Sequence, residues 1–297
     1  LRHYLSILCG LAWTAALSVI AAAGLTVTVS RPALAEYEIQ ETDVEKGEAE
    51  VEYRGAVHSG FTKGEEKAAG TEGTAVDTDE EQGEFLRQSH DLEFQYGLTD
   101  RFMFSTSLTA DEPLDQDFNL SAVELEAQYE VIEREGDGIG FALDASYSFA
   151  TRGGEADEFQ IAPYVEWASG PLMLTINPYF GTQVGNNRDT NGIGFEYGWR
   201  AEYKVAPRWG LGVEMFGEID ELAHTGPFNA QTHSIGPTLF FDPFGGDDED
   251  AGGEGDADED DAAGASQASL SLNVGLQFGL TDATSDTALK FQGSFQF

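Results

Sequence analysis

From residue 48 onward the chain alternates apolar positions with polar or small ones, segment after segment. The clearest case is 270–297. Leu270, Leu272, Val274, Leu276 and Phe278 are separated by Ser271, Asn273, Gly275 and Gln277. After 281–286 the alternation resumes with Leu289, Phe291, Phe295 and Phe297. Successive side chains of a strand point to opposite faces, so period two predicts a strand with one apolar and one polar face. The same pattern fills 48–61, 85–98, 102–108, 123–131, 139–149, 159–167, 172–180, 193–203, 209–219 and 233–241. That makes twelve strands. An even number returns the last strand to the side on which the first began. Pro163, Pro178 and Pro237 fall inside these segments, and each lacks the N–H that a ladder requires, so they predict bulges or strand ends.

Which solvent the apolar face meets decides the fold class. Phe, Tyr and Trp recur on that face, and charged side chains recur on the other. In a water-soluble β-sandwich or barrel, the competing reading, those rings would overfill a small core. A charged face suits a wet lumen and an aromatic face suits lipid. Past residue 29 no apolar run is long enough for a spanning helix. The expectation is all-β: a closed antiparallel transmembrane β-barrel over 36–297.

The first residues read differently. Arg2 and His3 precede 5–29, a stretch without an ionised side chain, and Ala33-Leu34-Ala35 stands before Glu36. This predicts a cleaved signal peptide over 1–35, with an N-terminal membrane anchor as the alternative. The sole cysteine, Cys9, lies inside that segment, so no disulfide is expected in 36–297.

Fifty-four Asp and Glu against fifteen Lys and Arg give a net charge of −39. Such a chain repels nucleic acid and gathers cations. On the polar faces, Glu48, Glu50, Glu52, Glu93, Glu124, Glu126, Glu196, Glu202, Glu214 and Glu218 converge on the lumen. Arg54, Arg87, Arg200 and Lys204 interrupt them. Carboxylate rings favour cations in a pore. The opposing reading is that these groups pair across strands and close a narrow barrel, with Arg54, Arg87 and Arg200 as structural clamps.

Two acidic stretches interrupt the strands, 62–83 and 242–267, expected outside the cell and on the periplasmic side respectively. In the second, Asp247, Asp248, Asp250, Asp258 and Asp260 offer hard oxygen ligands for weak capture of a divalent cation. Their spacing departs from the EF-hand pattern, and a solvated, self-repelling loop is the competing reading. Metal binding by His58 with Glu50 or Glu52 is a further possibility of the sequence. Ser59 beside His58 and Ser89 beside His90 cannot form nucleophile–base pairs, because neighbours on a strand point apart. No hydrolase, zinc-protease or phosphate-loop motif is present, so neither an enzyme nor a cofactor is expected.

Several features carry a family resemblance: the hairpin at 96–102, Pro163-Tyr164, Pro178-Tyr179, Gly236-Pro237, and Phe278-Gly279-Leu280-Thr281-Asp282 with Asp286 before the last strand. Together they resemble the bacterial outer-membrane barrels grouped as the MetA-pathway of phenol degradation, a transporter-like family. The resemblance implies an outer-membrane barrel passing small solutes, aromatic compounds included. Its implied partners are outer-membrane lipid and the barrel-assembly machinery, which reads the C-terminal strand and Phe297. Deleting Phe297 is expected to lower several-fold the fraction of chain that runs as a folded barrel on unboiled gels. An unchanged fraction removes that role from Phe297.

Overall fold

The structure, a computed structural model, describes residues 37–60, 85–114, 116–244 and 268–297. The expected signal peptide lies outside the described residues. So do 62–83 and 245–267, including the candidate ligands Asp247, Asp248, Asp250, Asp258 and Asp260.

Twelve strands form: β1 (Ala49–Ser59), β2 (Leu86–Thr99), β3 (Phe102–Pro113), β4 (Asn119–Ile132), β5 (Gly138–Ala150), β6 (Asp157–Ser169), β7 (Leu172–Val184), β8 (Gly194–Ala206), β9 (Trp209–Ile219), β10 (Thr232–Phe241), β11 (Ser269–Gly279) and β12 (Thr287–Gln296). Each pairs antiparallel with its chain neighbours, and β1 pairs with β12, so the sheet closes into a barrel. Closure has a physical cause. In hydrocarbon an unpaired backbone group finds no water, and a sheet edge is intolerable. The seam runs from Glu50↔Gln296 to Ser59↔Thr287. Ala49 and Phe297 then exchange both backbone hydrogen bonds, at 3.0 and 2.8 Å.

The burial pattern is inverted relative to a soluble protein. Leu92, Leu125, Leu143, Ile161, Ile176 and Leu276 are exposed in mid-strand, while Glu93, Glu126, Glu166, Glu214 and Lys290 are buried. Exposed Tyr129, Trp167, Tyr203 and Trp209 lie close to the short turns at 133–137, 170–171 and 207–208. Exposed Phe149, Phe159 and Phe180 lie toward the opposite end. Aliphatic side chains between two aromatic belts form the outer surface of a membrane-spanning barrel.

The prolines depart from the sequence expectation. Between β6 and β7 the ladder stops at Ile161↔Phe180 and resumes at Val165↔Ile176 with unchanged register. Pro163 and Pro178 fall opposite each other in that gap. Neither supplies an N–H, so the sheet opens locally in mid-strand without a bulge. The β10–β11 ladder likewise skips from Ile235↔Phe278 to Thr238↔Gly275, past Pro237.

Residues 37–47 do not join the sheet. They run inside the barrel and emerge at the short-turn end, where Gly47 N–H donates to the Gly97 carbonyl at 2.8 Å. Tyr37 and Ile39 pack with Ala56, Phe216 and Ala288 in an apolar cluster on the lumen side. The wall is shaped to receive them. A Cβ on Gly198 would stand 2.8 Å from the Glu38 carbonyl oxygen and 3.2 Å from Ile39 Cγ1. One on Gly97 would run into the Glu45 carbonyl oxygen, and one on Gly140 into Thr42 Oγ1. Gly198→Val is therefore expected to expel the segment while the barrel still closes. With a cysteine replacing the 4 % exposed Ile39, maleimide labelling in vesicles should become several-fold faster in the Gly198→Val background. Equal rates would show that the segment does not depend on this seat.

Candidate functional site in the barrel lumen

The inward positions of β1, β2, β4 and β5 build one carboxylate-rich wall. Arg54 stands at its centre, buried, and reaches four acids: Glu38 at 2.9 Å, Glu52 at 2.7 Å, Asp91 at 2.8 Å and Glu93 at 3.1 Å. Glu38 belongs to the N-terminal segment, so this one guanidinium ties the segment to β1 and β2. Arginine suits the task because its planar fork offers several donors at fixed angles. Burial raises the Glu38 carboxyl above the ordinary carboxylate range, with Arg54 pulling the other way.

A second network crosses the opposite wall. Glu214, fully buried, accepts from Arg200 Nε at 3.1 Å and Thr238 Oγ1 at 2.7 Å and forms an ion pair with Lys290 Nζ at 2.5 Å. Arg200 also lies 3.8 Å from Glu41 of the segment. Two cations thus face one buried carboxylate, and removing the carboxylate would leave two buried cations without their shared partner.

The segment is bound along its length by side chains of the wall. Asn177, in the gap opened by the two prolines, accepts from Gln40 N–H at 2.9 Å and donates to the Gln40 carbonyl at 3.1 Å. Its amide takes the place of a neighbouring strand. Thr42 donates to Glu166 at 2.7 Å, and Gln128 donates to the Glu41 carbonyl at 3.2 Å. Below the segment, a cavity of about 420 Å³ opens at the short-turn end, its lining including Glu48, Glu50, Glu202, Lys204, Asp242 and Gln296.

The remaining candidates take different places. Glu52, Arg54, Glu93, Glu126, Arg200 and Glu214 are buried in mid-lumen. Glu124 and Glu126 sit on one wall, while Glu196 faces Glu218 across β8 and β9 and receives Gln160 Nε2 at 3.1 Å. Glu48, Glu50, Glu202 and Lys204 line the turn-end cavity. Arg87 stands at the opposite rim, mostly exposed, where it donates to the Leu114 carbonyl at 3.2 Å and lies 4.0 Å from Glu112. Arg54 and Arg200 clamp; Arg87 does not reach the lumen networks. His58 is six residues from Glu52, about 20 Å along a strand, and meets the Ser285 hydroxyl at 2.9 Å, pinning the β11–β12 connection to β1. The pairing His58 with Glu50 or Glu52 is thus not assembled.

Sequence reasoning missed the segment 37–47 altogether. Its signal is faint: Tyr37, Ile39 and Val44 among acids, and glycines at inward strand positions. It missed Asn177, Glu166 and Tyr164 as buried lumen groups for the same reason.

No family model and no curated protein matches the chain, so the family resemblance read from turn and strand motifs stays a resemblance. Solved structures do match. An outer membrane channel from Pseudomonas putida F1 is 11% identical, with 89% of this chain and 99% of that chain covered, at a TM-score of 0.51. KdgM porin is 8% identical over 84% of this chain and 98% of its own, with a TM-score of 0.45. NanC porin is 8% identical over 83% and 98%, with a TM-score of 0.46. At such identities the likeness concerns the fold. That fold is the closed twelve-stranded antiparallel barrel of outer-membrane proteins.

Proposed function

We propose that the chain is a porin-like channel of the Gram-negative outer membrane for passive passage of small solutes. Its acidic lumen favours cationic or neutral solutes, and its N-terminal segment keeps the passage narrow. The observation that carries this reading is the inward excess of carboxylates over cations along the barrel wall. An ion entering from the turn-end cavity meets Glu48, Glu50 and Glu202 first, with Lys204 as a counterweight. Fixed negative groups lining a low-dielectric tube raise local cation concentration and repel anions. Uptake of aromatic compounds, which the family resemblance implies, receives less support from a wall of this polarity.

A second reading is favoured by a specific observation. The mid-lumen is filled by the segment and its partners, and Glu166, Thr175, Asn177, Glu214 and Gln277 have no exposure at all. A barrel closed in this way could instead serve as a structural or surface-interaction protein whose loops act outside. Planar-bilayer recording separates the two. The full chain is expected to show small conductance, and removal of 37–46 to raise it several-fold. Under a salt gradient the reversal potential should show cation preference. Anion preference would overturn the charge reading, and no conductance after removal of the segment would favour the closed barrel.

A further inference from the structure

We infer that the carboxylates of Glu38, Glu93 and Glu126 form a site for one hard divalent cation, Ca²⁺ by fit, that bridges the N-terminal segment to the barrel wall. One oxygen from each residue lies within 4.8 Å of the other two. Ligands on opposite sides of Ca²⁺ stand about 4.6–5.2 Å apart, twice its usual bond length, so oxygens at this spacing can share one ion. Mg²⁺ draws its ligands closer, to about 2.0–2.1 Å, and holds its water tightly, so it fits this separation less well. The donor set is all oxygen, which favours Ca²⁺ over zinc or copper.

An acidic cluster alone would not distinguish a site from a group of protonated or hydrated acids. The second observation concerns Glu126. Its Oε1 is buried without a hydrogen-bond partner among the described residues, on a side chain only 7 % exposed. Buried carboxylate oxygens are ordinarily satisfied, and one left bare beside two other carboxylates points to a missing positive partner. The resident cation cannot serve. Arg54 is engaged by Glu38, Glu93, Glu52 and Asp91 at 2.7–3.1 Å, and Gln40 adds bonds to Glu38 at 2.6 Å and to Glu93 at 3.3 Å. None of these donors is recorded on Glu126. Asp144, which faces Gln128 from the adjacent strand, shares a hydrogen bond with the Glu126 carboxyl, presents a bare Oδ2 of its own and would complete the shell once an ion displaces the shared proton.

The three ligands come from the segment, β2 and β4, separated by 55 and 33 residues in sequence, so no spacing motif announces them. A bound ion would neutralise the wall and hold the segment at Glu38. Ion binding can be measured whether or not any solute crosses the barrel, so its failure and the failure of the channel reading are distinct.

The test uses the full chain purified in detergent and titrated calorimetrically with CaCl₂ after chelator treatment. A variant with Asp247, Asp248, Asp250, Asp258 and Asp260 changed to Asn separates the lumen site from the acidic stretch. That variant is expected to keep one saturable Ca²⁺ site and to bind Mg²⁺ more weakly. In its background Glu38→Gln, Glu93→Gln and Glu126→Gln should each weaken Ca²⁺ binding about tenfold or more, as removal of one charged ligand does. Mobility on unboiled gels verifies that each variant remains a folded barrel. Absence of saturable binding in the Asn variant, or undiminished affinity in any of the three Gln variants, overturns the site.

Discussion

The grip of Arg54 on Glu38, Glu52, Asp91 and Glu93 is the interaction on which the interior depends. A barrel in lipid reverses the ordinary economy of folding: its apolar side chains need no core, and its polar ones need a place to be wet or paired. Here the lumen receives far more carboxylates than cations. Each cation therefore serves several acids, and each acid without a cation must find water, a proton or an ion. Glu214, with Arg200 and Lys290 on either side, is the well-compensated extreme. Glu126 is the opposite extreme.

The N-terminal segment belongs to the same problem. It brings backbone carbonyls, the Gln40 amide and the Thr42 hydroxyl into a space that would otherwise hold only facing acids. It also brings Tyr37 and Ile39, which bury apolar surface against Ala56, Phe216 and Ala288. A buried aromatic and an aliphatic side chain supply about 1.5–3 kcal/mol each when removed from water. Against this stands the added charge of Glu38 and Glu41 in an already acidic tube. Arg54 and Arg200 offset part of that charge, at 2.9 Å from Glu38 and 3.8 Å from Glu41.

The strands were legible because lipid on one side and a polar lumen on the other enforce strict period two, and a one-residue slip would turn every side chain to the wrong solvent. The order of neighbours followed wherever the connection is short, since a short connection allows only antiparallel pairing. The prolines misled because propensity treats a missing N–H as a break, while Pro163 and Pro178 lose their bonds together in one gap and the ladder continues beyond. The lumen contents were illegible for a different reason. Residues 37–47 carry no local signature of being inside a tube, and their place is set by Gly97, Gly140 and Gly198, far apart in sequence and brought together only by closure. The split between Arg54 and Arg200, which clamp, and Arg87, which does not, likewise depends on height along the barrel, which alternation cannot encode.

The central claim, that the N-terminal segment resides in the lumen and narrows it, is most directly tested by a cross-link. A Cβ on Gly140 would stand 3.3 Å from Thr42 Cβ, near the separation of about 3.5–4.5 Å found in disulfides. Thr42→Cys with Gly140→Cys should therefore oxidise to a disulfide in intact membrane vesicles, and bilayer current through the cross-linked barrel should stay as small as that of the full chain and several-fold below that of the barrel lacking 37–46. Free thiols in the folded barrel under oxidising conditions, or a cross-linked barrel that conducts as freely as one lacking the segment, would contradict the account.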